Sequence, residues 1–87
     1  MANPSIHKGH RERLKGRFLE SGLDSFTDVQ ALELLLFYAI PQKDTNPIAH
    51  ALLDRFGSLS QVLDAEVEDL EKVPGISDHA ATLLRLV

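Results

Sequence analysis

The sequence contains no cysteine, so disulfide bonds and thiolate metal sites are excluded. It also lacks a long apolar run. The longest, LLLFYAI at positions 34–40, is far shorter than the roughly 20 residues of a membrane-spanning helix. The N-terminal stretch MANPSIHKGHRERLKGRF is basic but has no apolar core of the kind found in signal peptides. We therefore expect a cytoplasmic protein, and its 87 residues predict one domain.

Basic side chains are scarce outside the first 17 positions. Residues 1–17 carry a net charge of +4, and residues 18–87 carry a net charge of −8. The chain is thus a short basic segment joined to an acidic body. An overall net charge of −4 argues against a protein coated evenly with charge for nucleic-acid binding.

Sustained strand alternation is also missing, and the apolar spacing predicts an all-α fold of five to six short helices. We expect a disordered segment at 1–7, followed by a single helical domain over 8–87. Within it, a basic helical segment (the basic arm) occupies 8–26, a first helical hairpin 27–57 and a second 58–87.

Helix starts and stops are marked by capping and breaking residues. Helices are predicted over about 8–20, 28–39 and 46–55, and three shorter ones follow, the last beginning at Ser77 or Asp78. Glycines are expected to end the first and third helices, and Pro41 the second. The expected N-caps are Thr27 or Asp28, Asp44 or Thr45, and Ser58 in an S-x-x-Q capping box.

The two predicted hairpins share an internal repeat. Ile40-Pro41 recurs as Val73-Pro74 at a spacing of 33 residues, and Ala49 and Leu52 recur as Ala81 and Leu84 at a spacing of 32. Each half is therefore predicted to form a helix, a tight turn and a second helix. The fold is predicted to be a compact tandem of two such hairpins.

The turn VPGIS at 73–77 carries the clearest motif. The surrounding segment LEKVPGISDHAATLL resembles the helix-hairpin-helix motif. The residues that match the defined positions of the motif are Leu70, Val73, Gly75, Ile76, Ala81 and Leu84. Glycine permits turn conformations that a side chain penalises, and the amides of the turn and of the next helix converge on a point that favours an anion such as a DNA phosphate. Gly75, Ile76 and Ser77 are therefore candidate DNA-binding residues, with the Ile76 side chain expected to point inward.

Both turns depart from the motif. Ser77 replaces the second glycine; it keeps its amide, but its hydroxyl is also a good N-cap for the next helix. The first turn, IPQKDTNP, has no glycine. Lys43 is a candidate phosphate contact there, although the neighbouring Asp44 weakens the local positive field, and helix capping is the alternative role of this turn.

The basic arm supplies the other candidate DNA contacts, which are Lys8, His10, Arg11, Arg13, Lys15 and Arg17. The alternative is an amphipathic helix that packs through Leu14 and Phe18 while its charges are solvated or paired. The DNA role is favoured for Lys8 and Arg11, and the solvated role for Arg13 and Lys15. His7 and His10 lack the further ligands that a structural zinc site requires.

The segment GHRERLKGRFLESG, joined to LELLLFYAIPQKDTNPIAHALLDRFGSL, resembles the N-terminal domain of the bacterial RadC-type DNA-repair protein family over residues 7–87. The resemblance implies a role in DNA repair and a C-terminal JAB-type domain with its own metal ligands, none of which is in this sequence. It also allows for a monovalent cation that bridges hairpin carbonyls to phosphate; the sequence otherwise indicates no cofactor. The last predicted helix is still running at Val87, which we interpret as the sign of a fragment.

No nucleophile with a base partner, phosphate-binding loop or dinucleotide fingerprint is found, so we do not expect this chain to be an enzyme. Our hypothesis is a non-sequence-specific DNA-binding and targeting module. The alternative is a protein-interaction module, such as a homodimerisation domain, that does not bind DNA. A third reading is a domain that only supports the folding of another.

Overall fold

Six helices make up the part of the chain that the computed structural model describes, which is residues 4–41 and 44–87, with side chains from Gly9 onward. They are α1 (Pro4–Ser21), α2 (Asp28–Ala39), α3 (Asn46–Phe56), α4 (Leu59–Asp64), α5 (Val67–Glu71) and α6 (Asp78–Leu86). No strand occurs within these ranges, so the all-α prediction is confirmed. None of these helices is both long and apolar enough to cross a membrane.

The predicted helix limits match the structure closely, with one difference at the start of the chain. Helix α1 begins at Pro4 and therefore includes four residues of the segment 1–7 that was expected to be disordered. Proline is well suited to the first turn of a helix, because its missing amide would have no partner there. At the other end of α1, Gly22 adopts φ +65° and terminates the helix as predicted.

Side-chain caps fix the starts of α2 and α4. Thr27 Oγ1 accepts a hydrogen bond from the Gln30 amide at 3.2 Å, and Gln30 Oε1 accepts one from the Thr27 amide at 3.1 Å. This is a complete capping box. Ser58 Oγ accepts the corresponding bond from the Gln61 amide at 3.3 Å.

Of the two alternative caps expected for α3, only Asp44 binds a backbone amide there through its side chain. Thr45 occupies the N-cap position but makes no capping bond with its side chain. Instead, the Asp44 carboxylate accepts a hydrogen bond from the Asn46 amide at 3.0 Å. The Thr45 hydroxyl is buried and donates to the Glu33 carbonyl at 3.4 Å, so it ties α3 to α2.

Helix α2 lies at the centre of the fold and packs against α1, α3, α4 and α6. The repeated residues of the two halves meet around it: Ala49, Leu52, Ala81 and Leu84 are all fully buried. Their repetition in the sequence therefore reflects equivalent core positions in the α2–α3 and α5–α6 pairs. Small residues at the two alanine positions allow the paired helices to approach closely.

The N-termini of α2 and α4 are joined by one side chain. The Asp28 carboxylate accepts a hydrogen bond from the Leu59 amide at 3.1 Å. A carboxylate is favourable at a helix N-terminus because the unpaired amides there carry partial positive charge. Asp28 therefore stabilises the first turn of two helices at once.

Candidate nucleic-acid interface

The turn between α5 and α6 exposes its backbone while its central side chain is buried. Gly75 adopts φ +96°, a conformation that favours glycine. The Ile76 amide donates to the Val73 carbonyl at 3.1 Å, which closes the turn. Ile76 is buried, as predicted, whereas Gly75 and Ser77 are exposed on either side of it.

Glycine is favoured at position 75 for a second reason, which the sequence did not reveal. A Cβ atom on this residue would lie 2.9 Å from Ile48 Cδ1 and 3.0 Å from Ile48 Cγ1. The Gly75 backbone therefore packs directly on the first turn of α3. This contact joins the turn of the second hairpin to the first hairpin.

Ser77 is the N-cap residue of α6, but its hydroxyl makes no capping hydrogen bond. The internal cap that we considered as an alternative for this serine is thus not formed. Within the described part of the chain, the Gly75 and Ser77 amides donate to no protein acceptor. Asp78, the first residue of α6, is exposed and adds a negative charge to this end of the helix.

In the basic arm, Arg11 is bound to the C-terminal end of α2. Its Nη1 donates to the Phe37 carbonyl at 3.2 Å, and its Nη2 donates to the Ile40 carbonyl at 2.8 Å. The guanidinium also lies 4.5 Å from the centre of the Phe37 ring. A cation at a helix C-terminus stabilises the carbonyls that have no partner within the helix. The structure therefore gives Arg11 an internal role, and its predicted contact with DNA remains a prediction.

Arg17 holds the connection between α1 and α2. Its Nη2 donates to the Ser25 carbonyl at 2.9 Å and to the Ser25 hydroxyl at 3.2 Å. Its guanidinium lies 4.8 Å from the centre of the Phe26 ring. Arg17 is therefore also engaged by the protein.

His10 belongs to a polar cluster around Glu33, a buried residue of which only 2% is exposed. His10 Nε2 donates to Glu33 Oε2 at 2.7 Å, and Asn46 Nδ2 donates to Glu33 Oε1 at 3.0 Å. Both carboxylate oxygens thus have a partner, as a buried acid requires. The cluster links α1, α2 and α3. A single acidic residue inside the apolar run of α2 was the signal for it in the sequence.

The remaining described cations of the basic arm are Arg13 and Lys15. Both are exposed, and neither has a hydrogen bond or ion pair with another described residue. Their exposure agrees with the solvated role that the sequence favoured for them, and their contact with DNA stays a prediction. Lys43 and the side chains of His7 and Lys8 lie outside the described residues.

The basic arm and the 75–77 turn both make contacts near the connection between α2 and α3. Arg11 binds the end of α2, and His10 reaches Asn46 through Glu33. Gly75 packs on Ile48 in the first turn of α3. The N-terminal half of α1 and the 75–77 turn therefore both contact this one corner of the fold.

No group of three potential metal ligands occurs among the described residues. His50 and His79 are exposed on separate helices, α3 and α6.

Comparisons with known proteins give relatives along almost the whole chain. It is 43% identical over 81 residues to the UPF0758 protein FN0909 of Fusobacterium nucleatum subsp. nucleatum, which is 93% of this chain and 35% of that protein. It is 42% identical over 84 residues to the UPF0758 protein SPO0054 of Ruegeria pomeroyi, which is 97% of this chain and 38% of that protein. The chain thus spans little more than a third of the length of these relatives.

No family model matches the chain, and no solved structure matches it. The assignment of the two helical hairpins therefore rests on the sequence motif and the geometry alone. The two relatives support the RadC-type resemblance at the level of the family. Over most of its length, the chain is similar to UPF0758 proteins, which form a RadC-like family.

Proposed function

We propose that this chain is a non-sequence-specific DNA-binding module of a DNA-repair protein, which contacts backbone phosphate through the 75–77 turn. The observation that carries the proposal is the pair of amides of the exposed residues Gly75 and Ser77, which have no acceptor among the described residues. They lie at the N-terminus of α6, where the helix dipole also favours an anion. Phosphate is the anion that every DNA sequence presents, so such a contact is independent of sequence.

The unpaired cations of the basic arm would add a second phosphate contact. Arg13 is exposed and has no partner among the described residues, so it can bind a phosphate without breaking a protein contact. Arg11 would first have to leave the Phe37 and Ile40 carbonyls. We therefore assign the arm's main contribution to Arg13.

The acidic body limits the affinity of this interface. Asp78 and the net charge of −8 over residues 18–87 oppose a polyanion, so binding should be weak and confined to low salt. Two to three neutralised phosphates would give a slope of about −2 to −3 when log K is plotted against log salt concentration.

A monovalent cation at this turn is compatible with its oxygen atoms. The Val73 carbonyl accepts the Ile76 amide, whereas the Pro74 and Gly75 carbonyls accept no hydrogen bond from a described residue. Carbonyl oxygens of this kind are the ligands that hard cations prefer. Such an ion would add positive charge next to the proposed phosphate.

The proposal is tested by fluorescence anisotropy with a labelled DNA duplex at low and at moderate salt. The informative variant is Ser77→Asp, because aspartate is an equally good N-cap and should preserve the stability of α6 while repelling phosphate. The matched control is Ser58→Asp, the same substitution at the N-cap of α4.

We expect Ser77→Asp to weaken DNA binding at least tenfold and Ser58→Asp to weaken it less than twofold. Arg13→Ala should reduce the salt slope by about one. If the two aspartate variants bind DNA equally, the turn is not the contact. If the unmodified chain binds no DNA at low salt and elutes as a dimer, the protein-interaction alternative replaces the proposal.

A further inference from the structure

Three polar side chains from three different helices are joined by hydrogen bonds. They are His10 of α1, Glu33 of α2 and Asn46 of α3, and we call them the Glu33 cluster. The Glu33 side chain is only 3% exposed, and each of its carboxylate oxygens accepts one hydrogen bond from the other two residues. A buried carboxylate without partners is costly, so each of these bonds opposes separation of the helices that it joins.

Each end of the Glu33 cluster lies next to an element that the proposed function uses. His10 is three residues before the exposed Arg13, which is about one turn of α1. Asn46 is the first residue of α3, and Ile48 in the same turn packs against the backbone of the 75–77 turn. A chain of described contacts therefore runs from the basic arm, through the Glu33 cluster and α3, to the 75–77 turn.

Other contacts hold α1 on the central helix without the Glu33 cluster. Leu14 of α1 is buried, and Arg11 donates to the carbonyls of Phe37 and Ile40 in and after α2. The Glu33 cluster extends this attachment to α3. A variant that breaks the cluster should therefore keep α1 attached to α2 but allow it to move relative to α3.

We propose that His10, Glu33 and Asn46 are positioning residues for DNA binding, an inference that rests on the proposed function. They hold the basic arm and the 75–77 turn in one fixed arrangement, so that both contact the same DNA molecule. Two contacts on one rigid body bind more tightly than the same contacts on parts that move separately, because the second contact requires no further ordering. His10 then acts through Arg13 and does not itself touch phosphate.

The test is fluorescence anisotropy with a labelled DNA duplex over a range of salt concentrations. His10→Ala and Asn46→Ala break the Glu33 cluster from opposite ends. We expect each to weaken binding about fivefold at low salt and to lower the salt slope by about one, as Arg13→Ala does. In the Asn46→Ala background, Arg13→Ala should lower the slope no further, because the arm's contact is already lost.

Two controls separate positioning from charge and from stability. Glutamine presents an N–H donor on a side chain long enough to reach Glu33, so His10→Gln should restore binding to within about twofold of the unmodified chain. Thr27→Ala destabilises α2 at its N-terminus without removing a member of the Glu33 cluster. It should leave the affinity within about twofold and the salt slope unchanged. Circular dichroism confirms that each variant is folded at the assay temperature.

Three results would overturn the inference while the proposed function stands. One is an equal loss of binding in His10→Ala and His10→Gln with none in Asn46→Ala, which would make His10 a direct contact. Another is an unchanged salt slope in both alanine variants of the cluster. The third is an equal effect of Asn46→Ala and Thr27→Ala, which would attribute the loss to stability. Failure of the proposed function is distinct: the unmodified chain then binds no DNA, or Ser77→Asp binds it equally well, and the inference is refuted with it.

Discussion

Replacing Gly75 by alanine tests whether the turn of the second hairpin is held against α3. Alanine at the observed φ of +96° costs about 1–2 kcal/mol of backbone energy. Part of this, about 0.4–1 kcal/mol, is offset because alanine restricts the unfolded chain. The new Cβ would also lie 2.9 Å from Ile48 Cδ1, and overpacking of this kind costs about 1–3 kcal/mol. We expect Gly75→Ala to lower the free energy of unfolding by about 2–4 kcal/mol.

Gly22→Ala is the matched control for the backbone energy that alanine costs at a positive φ. Gly22 also has a positive φ, +65°, but a Cβ there would meet no heavy atom within 4 Å. We expect this substitution to cost only about 1 kcal/mol. Urea unfolding followed by far-ultraviolet circular dichroism measures both values, provided that the slope of the transition is unchanged.

The free energy of unfolding lost in Gly75→Ala, minus that lost in Gly22→Ala, measures the contact of the new Cβ with Ile48. Ile48→Val removes the Cδ1 atom, so Gly75→Ala should cost at least about 0.5 kcal/mol less in that background. Equal costs for Gly75→Ala and Gly22→Ala, or the same cost of Gly75→Ala in both backgrounds, would refute the close approach of the turn to α3.

Three further predictions concern the stability of the fold, each measured by the same unfolding assay. Thr27→Ala should lower the free energy of unfolding by about 1 kcal/mol, because it removes the capping box of α2. Glu33→Ala should lower it by about 2–4 kcal/mol, because it leaves a cavity and two side chains without their acceptor. Arg11→Met should lower it by about 1–2 kcal/mol through the loss of two hydrogen bonds and a ring contact, while DNA binding changes less than in Arg13→Ala. An Arg11→Met variant with unchanged stability and much weaker DNA binding would contradict the internal role of this arginine.

The helices were largely predictable because their signals are local. The Thr27 side chain and the Gln30 amide are three residues apart, so the sequence displays both partners of the cap together. The same holds for Ser58 and Gln61 and for the glycine that ends α1. The recurring alanine and leucine positions likewise indicated the repeated hairpin, and they lie on the buried faces of α3 and α6.

The candidate site was less predictable because its contacts join distant parts of the chain. Arg11 binds carbonyls 26 and 29 residues away, and His10 binds a carboxylate 23 residues away. Periodicity places Arg11 on a helix face but does not show what that face meets. The helix-hairpin-helix pattern predicted that Gly75 needs conformational freedom, but the position of Ile48 beneath it depends on how the two hairpins pack.

Tyr38 gives the unmodified protein a built-in optical reporter. It is the single tyrosine, and the chain has no tryptophan, so ultraviolet emission from the chain comes almost entirely from this ring. The ring borders three separate hollows on the surface and is largely open to water. A molecule that binds at this ring should change its emission or the quenching of that emission by a small solute. Binding at the far side of the domain should leave both unchanged.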